Sequence, residues 1–383
     1  MTVPVQAPGV LPAPLVPAYG STALGDLMPS VLAAAGVAGE DDRLGLAAAR
    51  RTLVVLVDGM GDQLLRAHPD EAPYLTGLLR GARTLTAGFP ATTVTSLGSL
   101  GTGRPPGEHG LLGYQVAVPG AGRLLDALHW DKRVDPLTWQ PYPTVFQRAA
   151  ADGMTVTHVG PSAVASSGLT LAALRGPRFA GADTTGERVA ETLAALHAAK
   201  RALVYCYYGD LDATGHRRGC GSTAWRAQLR QADRFVEQLA AGLPSGTAMY
   251  VTADHGMVDI DPGNRIDLDA DLALLDGVEL LGGESRARHV YARPGAADDV
   301  LVAWRERLGD LVWVASRDEA ITAGWFGPYV AAELRERIGD VVAAPCADVA
   351  LVATQREPRE SVLVGVHGSL TVAEQLVPLL EVR

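Results

Sequence analysis

Five short apolar runs, each breaking into glycine, aspartate or histidine, constrain this chain more than any other feature. Thr52–Val57 stops at Asp58-Gly59, Met154–Val159 at Gly160-Pro161, and Ala202–Tyr208 at Gly209-Asp210-Leu211-Asp212. Ala248–Ala253 stops at Asp254-His255-Gly256, and Ser361–Val366 at His367-Gly368. Unbroken apolar runs too short for a helix suit strands buried on both faces of a parallel sheet. Helical spacing of apolar residues fills Leu24–Val37, Glu187–Lys200, Thr223–Leu243 and Ala297–Leu308. Strand alternating with helix predicts an α/β fold, a mostly parallel sheet flanked by helices. In such sheets ligands bind beyond the carboxyl ends of the strands. Four of the five runs place an Asp or His at that edge.

At 383 residues the chain exceeds the usual single domain, so one large catalytic domain over 1–383 with a smaller insertion is expected. The insertion falls at about 264–345, a stretch too long for one crossover between the Asp254-His255 and His367 runs. Prolines make residues 1–20 an irregular arm, and residues 101–147 read as site loops and a connector. Hydrophobic residues at 48% and charged residues at 20% fit a soluble globular protein. A net charge of -10 without basic runs argues against a nucleic-acid polymer as partner, but leaves small phosphorylated substrates open. Cys206, Cys220 and Cys346 lack CxxC spacing, which argues against a disulfide framework or a thiolate metal site. Neither a signal peptide nor a membrane span is legible, so no membrane partner and a cytoplasmic location are expected.

The stretch Phe89-Pro90-Ala91-Thr92-Thr93-Val94-Thr95-Ser96 offers hydroxyls without a neighbouring base. A nucleophile there needs a metal or base from elsewhere. Asp58, Asp212, His216, Asp254, His255 and His367, all at strand ends, are the available set. Carboxylate plus imidazole without thiolate suits zinc or another borderline divalent ion in a hydrolytic site. Asp212 and His216 are four apart, so one helical turn brings them to one ion. Two ions about 4 Å apart can activate a hydroxyl and stabilise a phosphoryl transition state. Singly, each residue has a plain structural reading, Asp58-Gly59 as a turn and His367 as a satisfied polar group. Together, and in this order, chance explains them poorly.

These stretches resemble the type I phosphodiesterase/nucleotide pyrophosphatase branch of the alkaline phosphatase superfamily. The resemblance lies in Val57-Asp58-Gly59-Met60, Phe89-Pro90-Ala91-Thr92-Thr93, Gly101-Thr102-Gly103 with Glu108-His109-Gly110, Asp212-Ala213-Thr214-Gly215-His216, Ala253-Asp254-His255-Gly256-Met257 and Val366-His367-Gly368. It implies an alkaline-phosphatase-like fold and two zinc ions, with manganese or iron compatible with the same ligands. One ion would be held by Asp212, His216 and His367, the other by Asp58, Thr93, Asp254 and His255. Thr93 would be the nucleophile, forming a phospho-threonine intermediate, and would begin a helix whose free N–H groups favour an anion. Val94 stands where relatives carry an aromatic residue, and Tyr114 where they carry a phosphate-contacting Asn. Tyr114 can still donate to a non-bridging oxygen. Phosphoester chemistry follows from the resemblance more firmly than a nucleotide substrate does. A phosphomonoesterase, a phosphonate hydrolase or a non-catalytic metal-binding protein are the alternatives. Thr92 and Thr95 rival Thr93, Asp210 rivals Asp212, His109 is expected to pack a loop, and Arg286, Arg288 and His289 are expected on a solvated surface.

Overall fold

The computed structural model describes residues 11–382. Seven strands form the main sheet: β1 (Arg51–Val57), β2 (Arg83–Thr86), β3 (Thr155–Gly160), β4 (Arg178–Gly181), β5 (Ala202–Tyr208), β6 (Thr247–Thr252) and β7 (Leu376–Val382). Their spatial order is β2-β7-β6-β1-β5-β3-β4. Strands β6, β1, β5, β3 and β4 are parallel, and β7 runs antiparallel to both of its neighbours. The mostly parallel α/β sheet is therefore as expected, with helices against it. Leu53 to Val57 are fully buried, as an unbroken apolar run on a two-sided sheet requires.

Register decides where the polar residues emerge. Val57 is level with Tyr208, and Leu56 with Thr252. The chain thus leaves β1, β5 and β6 at one edge, with Asp58, Asp210–Asp212 and Asp254 side by side. The helix Thr185–Ala198 is closed by a capping box of Thr184 and Glu187, and Thr223–Ala241 by the Ser222 side chain. The Leu24–Val37 expectation resolves into a single tight turn, Leu24–Asp26, and a helix over Leu27–Ala34.

Ser361–Val366 is not a strand of the main sheet. Glu360–Val362 forms a tight turn, and only Gly365–Val366 is extended, pairing antiparallel with Val258–Asp259. Val362 is solvent-exposed. The place in the sheet belongs to Leu376–Val382, a run buried along most of its length. Of the proline-rich arm, residues 1–10 lie outside the described residues. The part from 11 to 20 has no helix or strand and is tied down by Leu15 N–H to the Leu370 carbonyl.

Within 264–345 the chain builds a second, antiparallel sheet. Its order is Val278–Glu284, Ala287–Ala292, Val341–Pro345, Val312–Ser316. Leu281, Val290, Trp304 and Val341 belong to an apolar cluster separate from the main core. The turn joining its first two strands carries Glu284 and Arg286 to the edge where the main strands end.

Candidate active site

Every residue singled out for metal ligation converges on the carboxyl edge of β1, β5 and β6. Asp58 follows β1, Asp254 and His255 follow β6, and His367 follows Val366. Asp212 and His216 stand one turn apart on the helix Asp210–Arg218. Gly59 lies at φ 72°, and a Cβ there would come within 3.1 Å of the Asp212 side chain, so only glycine lets these segments approach. Thr93 is the first residue of the helix Thr93–Thr102, with Thr92 as N-cap. Its first-turn N–H groups have no intrahelical partner and face an anion favourably.

Two groups emerge. His216 Nε2 is 3.3 Å from Asp212, and His367 Nε2 is 3.9 Å from Asp212. In the second, His255 Nε2 lies 3.5 Å from Asp58, 3.4 Å from Asp254 and 3.3 Å from Thr93 Oγ1. Thr93 Oγ1 is also 3.4 Å from Asp58. The groups touch, because the His255 and His367 rings stack with centroids 3.7 Å apart.

The three imidazoles share one orientation. Nδ1 of His216 meets the Gly365 carbonyl at 2.8 Å, that of His255 the Gly256 carbonyl at 3.1 Å, and that of His367 the Ala91 carbonyl at 2.9 Å. A backbone carbonyl accepts from Nδ1–H, which leaves each Nε2 lone pair aimed into the cluster. Histidines that ligate metals are held this way.

The carboxylates show why a cation belongs here. Among the described residues, Asp58 Oδ1, Asp212 Oδ1 and Asp254 Oδ2 are buried without a hydrogen-bond partner. Burial, then Asp254 and Asp212, push the Asp58 carboxyl well above the usual range. Burial also works to raise Asp212, but His216, then His367 and His255, carry it below that range. One carboxylate sits among imidazoles and the other among carboxylates. Surplus negative charge, unpaired oxygens and in-turned lone pairs fit divalent ions.

A cleft of about 280 Å³ opens above Thr93 and is lined by Tyr114, Asp212, His216, His367 and three glutamates, Glu284, Glu357 and Glu360. Tyr114 is in the cleft, but its hydroxyl donates to Asp126 at 3.1 Å. Two neighbours were not legible in the sequence. The Tyr207 hydroxyl donates to Asp58 at 2.5 Å, and Glu284 lies 3.5 Å from His367. Burial pushes the Glu284 carboxyl up to about 8. Alternation along β5 placed Tyr207 on one face, but nothing in the sequence said which face met Asp58.

Burial sets one of the rivals apart from the cleft. Thr95 is fully buried and does not line the cleft, whereas Thr92 lines it from the N-cap. Asp210 turns away from the cluster to Arg188. His109 packs a loop as expected, buried and bonded to Ser99. Arg286, Arg288 and His289 are not on a solvated surface: all three are buried. Arg286 pairs with Glu374 and Arg288 with Glu357, and the His289 ring bonds the Leu112 carbonyl. Arg286 lies in the turn before Ala287–Ala292, and Arg288 and His289 within it, an inner strand of the second sheet, which a charge pattern alone does not reveal.

A family model described as type I phosphodiesterase / nucleotide pyrophosphatase matches residues 52–370. The chain belongs to that family. It is a family of metal-dependent hydrolases, and this chain's possible metal-binding groups are Asp212 with His216 and His367, and Asp58 with Asp212 and His255. Over 64 residues the chain is 41% identical to the human ectonucleotide pyrophosphatase/phosphodiesterase family member 7, a match covering 15% of this chain and 14% of that protein. Murine ectonucleotide pyrophosphatase / phosphodiesterase 5, solved as an inactive variant in complex with AMP, superposes with TM-score 0.69 at 17% identity, covering 86% of this chain and 87% of that one. Phosphonoacetate hydrolase from Sinorhizobium meliloti 1021 in complex with phosphonoacetate gives TM-score 0.68 at 20% identity, over 88% and 90% of the two chains. These structures share the fold. Among the described residues, no helix is long and apolar enough to cross a membrane.

Proposed function

We propose that the protein is a two-metal phosphodiesterase that works through Thr93 and a phospho-threonine intermediate. The observation that carries this reading is the position of Thr93 Oγ1. It sits at a helix N-terminus, 3.4 Å from Asp58 and 3.3 Å from His255. No side-chain base beyond this cluster is needed.

Asp212, His216 and His367 would hold one ion, and Asp58, Asp254 and His255, with Thr93, the other. Bound there, zinc, or manganese or iron in its place, would supply positive charge that lowers the pKa of a hydroxyl and offsets charge on phosphoryl oxygens. Asp58 and Tyr207 fix the Thr93 side of the site, since the Tyr207 hydroxyl holds the carboxylate that Thr93 contacts. Thr93 Oγ1 bonds to phosphorus as the bond to the leaving alkoxide breaks. Water then cleaves the phospho-threonine, releasing a phosphate monoester and restoring the hydroxyl. The helix N–H groups of the first turn point at the transferred anion. In murine ectonucleotide pyrophosphatase / phosphodiesterase 5, the inactive variant is a threonine-to-alanine change, which supports a threonine nucleophile here.

The cleft favours a diester over the phosphonoacetate alternative. Among the described residues its lining includes Glu284, Glu357 and Glu360 but no Lys or Arg. The carboxylate of phosphonoacetate would find no cationic side chain in that lining to pair with, which opposes its binding. Small phosphorylated molecules remain the substrate class, with Tyr114 contacting a phosphoryl oxygen once its hydroxyl leaves Asp126. A cytoplasmic setting is part of the proposal, because Cys206, Cys220 and Cys346 are all unpaired thiols.

Acid quenching during turnover of a bis-aryl phosphodiester, followed by peptide mass spectrometry, tests the reaction. Thr93 carrying an aryl phosphate, the arm that has not left, is expected. Full turnover by Thr93→Ala with metal bound would overturn the nucleophile assignment.

A further inference from the structure

A metal-activated hydroxyl is only as effective as its placement, and the chain ties Thr93 down on both sides. On one side the Ala91 N–H donates to the Gly368 carbonyl at 2.9 Å, and the Ala91 carbonyl accepts from His367 Nδ1–H at 2.9 Å. On the other stands Ser96, completely buried, whose hydroxyl donates to the Asp254 carbonyl at 2.7 Å. Ser96 is three residues beyond Thr93 in the helix Thr93–Thr102, so the two hydroxyls share one face a turn apart. They reach adjacent residues of one loop, Ser96 the Asp254 carbonyl and Thr93 the His255 Nε2 at 3.3 Å. A hydroxyl inside a helix commonly turns back to the carbonyl four residues earlier, as Thr102 does to Gly98 in this same helix. Ser96 instead gives its one proton to a partner 158 residues away. A buried carbonyl needs a donor from somewhere. Here the donor sits on the nucleophile's own helical turn, and the acceptor belongs to a candidate ligand residue.

We propose that Ser96 is a positioning residue for the reaction: it fixes the first turn of the helix to Asp254 and so sets Thr93 Oγ1 against the Asp58, Asp254 and His255 group. The inference rests on the reading of Thr93 as nucleophile. Ser96 does not line the cleft, so it acts through Thr93 and not on the substrate. Without its bond the turn stays tied at Ala91 and pivots about that end, which carries Thr93 Oγ1 off the line of attack. A misplacement of about 1 Å costs on the order of a hundredfold in rate. The ligand side chains do not depend on the Ser96 bond, so metal and ground-state substrate are held as before. Ser99 supplies the comparison. It is buried in the same helix, and its hydroxyl meets Nε2 of the loop-packing His109 at 3.0 Å, away from the candidate ligands.

The test compares Ser96→Ala with Ser99→Ala in zinc-loaded protein. Rapid acid quenching with bis-nitrophenyl phosphate reads the rate at which Thr93 is labelled. Calorimetry with orthovanadate, which mimics the transferred group in the transition state, reads placement without turnover. Ser96→Ala is expected to label Thr93 about ten- to a hundredfold more slowly, with KM and zinc content unchanged. Its affinity for vanadate should fall by a similar factor, while a hydrolysis-resistant methylphosphonate ester binds as it does to wild type. Ser99→Ala loses a buried hydrogen bond from the same helix and should keep both the rate and the vanadate affinity. Ser96→Cys, close in size with a weak donor, takes the place of Ser96→Ala should that variant fail to fold. An unchanged labelling rate or vanadate affinity in the Ser96 variant, or an equal loss in Ser99→Ala, would overturn the positioning role. Wild type that turns over without labelled Thr93 sinks the nucleophile reading. Labelled wild type with an indifferent Ser96 variant sinks this inference alone.

Discussion

Two clusters of buried charge in this protein are built in opposite ways. At Arg286 every guanidinium nitrogen is occupied. Nε and Nη2 donate to Glu374 at 3.1 and 2.7 Å, and Nη1 donates to the Ala347 and Val349 carbonyls at 2.6 and 2.7 Å. Glu374 also accepts from the Ser369 N–H and the Thr371 hydroxyl. At the carboxyl edge of the main sheet, Asp58, Asp212 and Asp254 each keep a buried oxygen without a hydrogen-bond partner among the described residues. Both clusters are charged and largely buried, so burial alone does not separate them. What separates them is completeness. A closed network holds the second sheet's turn against the loop carrying His367, and an open one is shaped to receive a cation and its substrate.

The largest effect expected from this contrast is on turnover. Thr93→Ala should lower kcat/KM for a phosphodiester by on the order of 10⁴-fold or more, with bound metal retained. Steady-state kinetics with metal analysis of the same sample checks both halves. The closed network should answer through stability instead. Arg286→Met leaves Glu374 buried alone and should cost about 3–5 kcal/mol in chemical denaturation. The double variant Arg286→Met/Glu374→Leu should recover much of that loss. A single variant as stable as wild type would break the contrast.

A third kind of buried group, neutral by burial, sharpens it further. His109, His158 and His289 are lowered to about 3, about 3 and about 4, each chiefly by burial. Their folded values lie below the unfolded value of about 6.5, so the unfolded chain takes up protons that the native one refuses. Stability is whole above that value and falls as pH drops from about 6.5 toward 4, by up to about 1.4 kcal/mol per pH unit for each histidine. His289→Gln should make the slope of unfolding free energy against pH shallower. An unchanged slope would contradict neutral burial at that site.

The smallest effect carries the most telling sign. In metal-free protein Asp58→Asn removes a carboxyl crowded by Asp254 and Asp212 and should stabilise by about 1 kcal/mol. With zinc added the order should reverse, because wild type gains binding energy that the variant has lost. Melting with chelator and with zinc reads both signs.

How much of this was legible follows from the range of each interaction. Asp58, Asp212, Asp254 and His255 were legible because strand ends and helical spacing are local, and register then does the rest. Four of the five apolar runs are strands of the main sheet to within a residue. Ser361–Val366 was misread because its place is taken by Leu376–Val382, a competition between segments that neither one displays. Arg286 and Arg288 looked like surface because guanidinium groups usually are. Their partners, Glu374 and Glu357, lie 88 and 69 residues away. Glu284 and Tyr207 are likewise products of packing.

Metal content is the most direct test of the claim that the unpaired carboxylates are ligands. The purified chain, dialysed and then loaded with zinc, would be measured by inductively coupled plasma mass spectrometry beside Asp212→Asn and Asp58→Asn. Two ions per chain, falling in each variant, are the expected result. Fewer than one ion in wild type, or a content that neither substitution alters, would contradict it.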